Sequence, residues 1–318
     1  MEQHLEESPD TSKSLRKEIE ESGRELAYLQ RKCRELEIPV LIVVEGLSAA
    51  GKGTIINRMI QPMDPRGFKV SCIASPNRDE QMRPFLWRFW RRTPSADRMA
   101  IFDRSWYRNL LDAEIANQLS EADLKKAYSD VRAFERQLKD GGTVILKFFL
   151  EISKKEQAAR LAALQENPAT AWRVSDAVLQ RHSRYNDYVK AVDRMFRETD
   201  LPEDSPWRKI PSKSAKVATS LVLRHLVDAL TARVKERKKG ISVQAGRQPL
   251  ELPAFPNAPS FKDADMSLSL PKREYLKKLE SRQDRIQELH HELYRLRIPL
   301  VIVYEGWDAS GKGGTSGG

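Results

Sequence analysis

At 318 residues, 40% hydrophobic and 31% charged, the chain has enough apolar material for a real core and room for one to three domains. No apolar stretch approaches the ~18 residues of a membrane span, and Met1 to Asp10 is too acidic and polar for a secretory signal, which points to the cytoplasm. The formal charge of +10 calls for a polyanionic partner, with nucleotide, polyphosphate, nucleic acid and membrane surface all open on charge alone.

Residues 1–23 read as an N-terminal tail, disordered over its acidic start. Leu26, Leu29, Cys33 and Leu36 then repeat at helical spacing, and Pro39 stops that helix just ahead of the apolar strand Val40 to Val44. Cys33 lies on the apolar face and reads as a packed thiol, unpaired with Cys72. The strand runs into Glu45-Gly46-Leu47-Ser48-Ala49-Ala50-Gly51-Lys52-Gly53. A glycine-rich turn with a lysine at this place lets backbone N–H groups and a helix N-terminus cradle phosphate oxygens, so Gly46, Gly51, Lys52, Gly53 and Thr54 are the expected phosphate-binding residues. The hydroxyl residue that usually follows the lysine and reaches Mg²⁺ is replaced by Gly53, so the metal must be held from elsewhere.

Further strands are expected at Phe68 to Ala74, Met99 to Phe102, Thr143 to Leu150 and Trp207 to Ile210, between helix-like segments such as Ser120 to Lys139 and Ser212 to Val234. This alternation predicts a doubly wound parallel α/β domain over residues 24–236. Asp103 falls at the carboxyl end of a strand beside the glycine turn, where it is the candidate Mg²⁺-holding carboxylate; the alternative is a helix cap. Arg104 either neutralises a phosphoryl group in transit or pairs with an acidic surface residue. Two helical stretches, Ser153 to Glu166 and Ser175 to Glu198, make more chain than a simple crossover needs; they read as a lid over about 151–198, or as two ordinary covering helices.

Residues 237–270, with Pro249, Pro253, Pro256 and Pro259, read as a linker. Beyond it the opening pattern returns: Leu276, Leu279, Ile286, Leu289, Leu293 and Leu296 mark an amphipathic helix, Leu300 to Tyr304 a strand, and Glu305-Gly306-Trp307-Asp308-Ala309-Ser310-Gly311-Lys312-Gly313 a second glycine turn. Gly46 and Gly306 lie 260 residues apart. Residues 271–318 are therefore expected to be the first helix and strand of a second, similar domain, truncated inside its turn; the alternative is a short form whose stump packs on the first domain.

The motifs Glu-Gly-x-x-Ala-Ala-Gly-Lys-Gly, Asp64-Pro65-Arg66, Leu86-Trp87-Arg88-Phe89-Trp90, Phe102-Asp103-Arg104-Ser105-Trp106-Tyr107, Phe134-Glu135 and Trp172 together resemble the family-2 polyphosphate kinases, from about Glu25 to Leu230. The linker and repeated start resemble its two-domain members, the polyphosphate:AMP phosphotransferases. The resemblance implies a thymidylate-kinase-like P-loop fold with a helical lid, a homo-oligomer, and phosphoryl transfer between inorganic polyphosphate and AMP or ADP with Mg²⁺. It implies that Lys52 holds phosphate, Asp103 holds metal, and Arg104 steadies the transferred group. Arg173, Arg181 and Arg184 would come from the lid, with Arg88 also facing polyphosphate, and Asp308 and Lys312 would be the counterparts in the second copy.

Three departures stand out. Ser48 occupies the place of the family's usual aspartate, which the second copy keeps as Asp308; Thr170-Ala171 replaces the usual Lys-Arg before Trp172; and the usual Asn-Arg after Tyr107 is reversed to Arg108-Asn109. A serine can neither bind metal as a carboxylate nor serve as a base. The residues thus leave three readings: a polyphosphate-dependent nucleotide kinase, a catalytically weak polyanion-binding and oligomerisation domain of such an enzyme, and an ATP-using small-molecule kinase. Arg83, Arg88, Arg91 and Arg92 are expected to line a basic groove for a long polyanion. Phe85, Trp87, Phe89 and Trp90 read as packing residues, which argues against nucleic acid. The histidines show no metal-ligand spacing.

Overall fold

The structure, a computed structural model, describes residues 9–200, 205–240, 265, 267 and 269–305, with side chains from residue 13 onward. It divides into two units, Met1–Pro249 and Leu250–Gly318. In the first unit α1 (Pro9–Glu35) leads into β1 (Val40–Gly46) and α2 (Lys52–Ile60). Then follow β2 (Phe68–Cys72), the short helices α3 (Arg78–Gln81) and α4 (Trp87–Trp90), β3 (Met99–Asp103), α5 (Trp106–Ile115), α6 (Glu121–Asp140) and β4 (Val144–Glu151). The unit continues with α7 (Lys154–Glu166), α8 (Asp176–Ser183), α9 (Tyr185–Thr199), β5 (Trp207–Pro211) and α10 (Ala215–Lys238). Among the described residues no helix is long and apolar enough to cross a membrane.

The five strands form one parallel sheet in the order β2-β3-β1-β4-β5. β1 is central and fully buried, as its unbroken apolar run requires. Strand alternation sends Val40, Ile42 and Val44 into one core with α1, α2 and α10, and Leu41 and Val43 into another with α5, α6 and α9. The helices that follow the neighbouring strands β1 and β3 thus cover opposite faces, which opens a crevice between the carboxyl ends of those strands.

The sheet carries one buried charge pair. Lys147 interrupts the apolar run of β4; its Nζ lies 2.9 Å from Glu135 Oε2 and donates to the Thr199 carbonyl at 3.0 Å. Glu135 also accepts from Trp106 Nε1 and the Tyr107 hydroxyl, so the pair is paid for in hydrogen bonds and pins the start of α5 to α6 and β4.

Several expectations are corrected. The tail is helical from Pro9, because Ile19 and the residues after it pack in the α1–α10 core. The stretch from Ser175 to Glu198 is two helices broken at Arg184, and only the first is lid-like: α9 buries Tyr188, Ala191, Val192, Met195 and Phe196 and is a core helix. Cys33, in contrast, is the buried free thiol expected, its pKa pushed up to about 12 by burial. In the second unit, α11 (Lys272–Leu296) forms, but Leu300 to Tyr304 is not a strand among the described residues. Residues 241–264 of the linker, and the second turn with Asp308 and Lys312, lie outside the described residues.

Candidate functional site

The glycine turn spans the end of β1 and the start of α2. Gly46 has φ +146°, and a Cβ there would sit 2.6 Å from the Leu150 carbonyl oxygen, so only glycine lets β1 and β4 close at this point. Ala49 and Gly51 are left-handed at φ +59° and +95°, which turns successive N–H groups toward one concave side and starts α2 at Lys52. The cradle is open to solvent at Gly53 and Thr54. Lys52 itself is buried: Nζ donates to the carbonyls of Gly46 and Leu47 at 2.8 and 3.0 Å. Burial, with the Arg104 guanidinium adding to it, pulls its ammonium down to about 8.

β3 delivers the acidic partner. Val44 of β1 registers with Asp103, whose backbone carbonyl accepts from Ile73 N–H. Asp103 Oδ1 is buried and has no hydrogen-bond partner. Arg104 takes φ +65°, an uncommon conformation for a non-glycine residue, held by its N–H on the Val44 carbonyl at 3.1 Å. Lys52, Asp103 and Arg104 interact electrostatically, so three of the residues singled out in the sequence converge.

Other functional residues were less visible in the sequence. Glu45, 1% exposed, accepts from the backbone N–H and the hydroxyl of Ser105 at 2.6 and 2.8 Å, and this fixes the N-cap of α5 against the glycine turn. Burial raises its carboxyl above the usual range, against the pull of Ser105, Lys52 and Arg108. Gln157 and Arg160, one turn apart on α7, hold the turn from the lid side: Gln157 Nε2 donates to the Ser48 carbonyl at 2.9 Å and Arg160 Nη1 to the Ala49 carbonyl at 3.1 Å. Arg160 also donates to the carbonyls of Ser212 and Lys213. The signal for this pair was the i, i+3 spacing of two long polar side chains on a helix with little apolar face.

The remaining expected residues are spread out. Arg88 is corrected: it is buried, faces Glu80 at 3.3 Å and donates to the Ala74 carbonyl at 2.8 Å, so it does not line an open groove. Arg83 and Arg91 stack on Trp87, and Arg92 pairs with Glu80. Phe89 is fully buried against Phe102 and Trp106, the packing role expected of that segment. Between α7 and α9, Arg173 lies on exposed Trp172, Arg184 pairs with Asp187, and Arg181 reaches Asp112 of α5 at 3.7 Å. A cavity of about 320 Å³ borders the turn at Leu47 and is lined by Phe149, Ile152, Tyr185 and Val189. A larger one of about 820 Å³ lies away from it, among α1, α10 and the far end of α2.

Such an arrangement can bind a phosphate chain and neutralise charge on it. The chain matches the family model of polyphosphate kinase 2 over residues 10–238 and 269–316. It is 32% identical to the polyphosphate:AMP phosphotransferase of Pseudomonas aeruginosa over 284 residues, covering 88% of this chain and 56% of the relative. It is 37% identical to that of Acinetobacter johnsonii over 193 residues, covering 61% of this chain and 40% of the relative. The polyphosphate kinase 2 structure from Arthrobacter aurescens TC1 superposes with a TM-score of 0.65 at 31% identity, covering 67% of this chain and 77% of that one. The chain spans about half the length of the curated phosphotransferases it matches. With the family model matched over most of its length, the chain belongs to the polyphosphate kinase 2 family.

Proposed function

We propose that this protein is a phosphotransferase that moves a phosphoryl group between inorganic polyphosphate and AMP or ADP. The observation that carries the reading is the convergence of Lys52, Arg104 and the unpartnered Asp103 Oδ1 at the open glycine turn. Family membership supports the substrate class, since the relatives' names pair polyphosphate with AMP, ADP or GDP. In the forward direction a phosphate oxygen of the nucleotide forms the new P–O bond as the terminal phosphoanhydride bond of polyphosphate breaks, and the electron pair leaves on a chain one phosphate shorter. The turn N–H groups and Lys52 hold the donor, and Arg104 offsets charge spread over the moving group.

Mg²⁺ belongs to this proposal. Mg²⁺ keeps several of its waters and is bound through one or two carboxylates and substrate phosphates, so a single strand-end carboxylate beside the glycine turn is sufficient protein ligation. Asp103, with its free buried oxygen, is the residue to hold it. When bound, it would neutralise phosphate charge.

Ser48 favours a second reading, a polyanion-binding domain that turns over slowly. One assay separates the two: the 318-residue chain with polyphosphate, Mg²⁺ and AMP or ADP, beside Asp103→Asn and Ser48→Asp. Product that vanishes in Asp103→Asn supports the transferase. Absence of product in wild type and Ser48→Asp alike, with polyphosphate still bound, leaves the binding domain.

A further inference from the structure

Arg108 has no place in the site described so far, yet it is one of the most confined cations in the molecule. It lies in the first turn of α5, three residues after the cap Ser105, and is 8% exposed. Its Nε donates to Asp112 at 2.9 Å, one helical turn on, and its guanidinium lies over the Tyr188 ring at 5.4 Å. Those contacts account for one edge of the guanidinium and one face. Nη2 is buried and has no hydrogen-bond partner. A planar fork of donors is suited to two oxygens of one oxyanion, and a buried guanidinium nitrogen without an acceptor is a costly arrangement unless a ligand completes it.

The surroundings say which ligand. Arg108 sits in the first turn of α5, whose cap Ser105 is hydrogen-bonded to Glu45 at the entry to the glycine turn, so it shares the crevice with that turn. Asp103 Oδ1 is a further unpartnered group at this end of the sheet, and Arg88 Nε, although buried without an acceptor, belongs to a guanidinium already held by Glu80 and the Ala74 carbonyl. An acidic protein side chain is not the missing partner, since Asp112 is already engaged by Arg108, Arg181 and the Tyr188 hydroxyl, and Glu45 is held by Ser105. A mere helix staple between Arg108 and Asp112 would need only Nε.

We propose that Arg108 is a phosphate-binding residue, whose Nη2 takes a non-bridging oxygen of the polyphosphate donor at the glycine turn. Its partner Asp112 orients the guanidinium and links it through Arg181 to the lid helix α8, so donor binding and lid position share one carboxylate. The inference rests on the transferase reading for its ligand and on the geometry for its residue.

The test is calorimetric titration of the full chain with tripolyphosphate and Mg²⁺, with transfer to AMP and to ADP followed in parallel. Arg108→Gln should bind about tenfold to a hundredfold more weakly, the loss of one charge-assisted hydrogen bond. Arg108→Lys should recover part of the affinity, and the melting temperature without ligand should hold in both. Arg224→Gln on α10 removes an equal charge, from an ion pair with Glu18 of α1, and should stay within about twofold of wild type. Full affinity in a folded Arg108→Gln, or an equal loss in Arg224→Gln, overturns the inference while leaving the transferase reading intact. Wild-type binding that depends on Arg108 without any transfer removes the transferase reading and leaves the residue assignment standing. No binding by wild type overturns both.

Discussion

The chain carries one sequence pattern twice, and the two copies have different fates. In the first, Leu26 on α1 and Val43 on β1 are fully buried; their counterparts 260 residues on, Ile286 and Val303, are 64% and 72% exposed. Helix α11 forms in spite of this, because a helix closes its own hydrogen bonds. The segment from Leu300 to Tyr304 does not become a strand, because a strand's N–H and C=O groups need neighbours, and β1 has β3 on one side and β4 on the other. Apolar pattern alone therefore yields a helix but not a sheet.

The largest effect that sharpens this contrast is chemical. Lys52→Ala should lower phosphoryl transfer by about 10²–10³-fold, read by the coupled assay, because a buried ammonium between the turn carbonyls is lost. Unchanged transfer would mean that the first turn is not the working site. Next comes stability: Ile42→Ala should cost about 3 kcal/mol in urea unfolding of the first unit, whereas Ile302→Ala should stay within about 0.5 kcal/mol. Equal costs would show that the second segment is packed after all.

A smaller effect tests what holds the first turn. Gln157→Ala leaves the Ser48 carbonyl and His182 without their partner and should raise KM by an amount equivalent to about 1–2 kcal/mol, with kcat less affected. The smallest concerns pH. Lys52 titrates at about 8 in the fold, below its unfolded value of ~10.4. Between those values the unfolded chain binds more protons, so the unliganded fold gains stability as pH rises, while the ammonium that phosphate needs is lost. Tripolyphosphate affinity should fall as pH climbs above about 8, with proton uptake on binding near that pH, measurable by calorimetry in buffers of different ionisation enthalpy.

By itself the sequence determined what depends on near neighbours in the chain. Five strands are read within a few residues of their ends, because apolar runs bounded by Gly and Pro are local signals. So is the glycine turn, whose left-handed Gly51 is a local backbone requirement, and so is Asp103 at a strand end. What only the tertiary structure decided is which distant groups meet. It set Glu45 on Ser105, Gln157 on the Ser48 carbonyl and Lys147 on Glu135, buried Arg88, and made α9 a core helix while α7 stayed at the turn. The orphaned Nη2 of Arg108 belongs to the same class. Periodicity shows that a residue faces inward, but burial of a charge depends on a partner tens of residues away, and only the closed sheet brings that partner within hydrogen-bond reach.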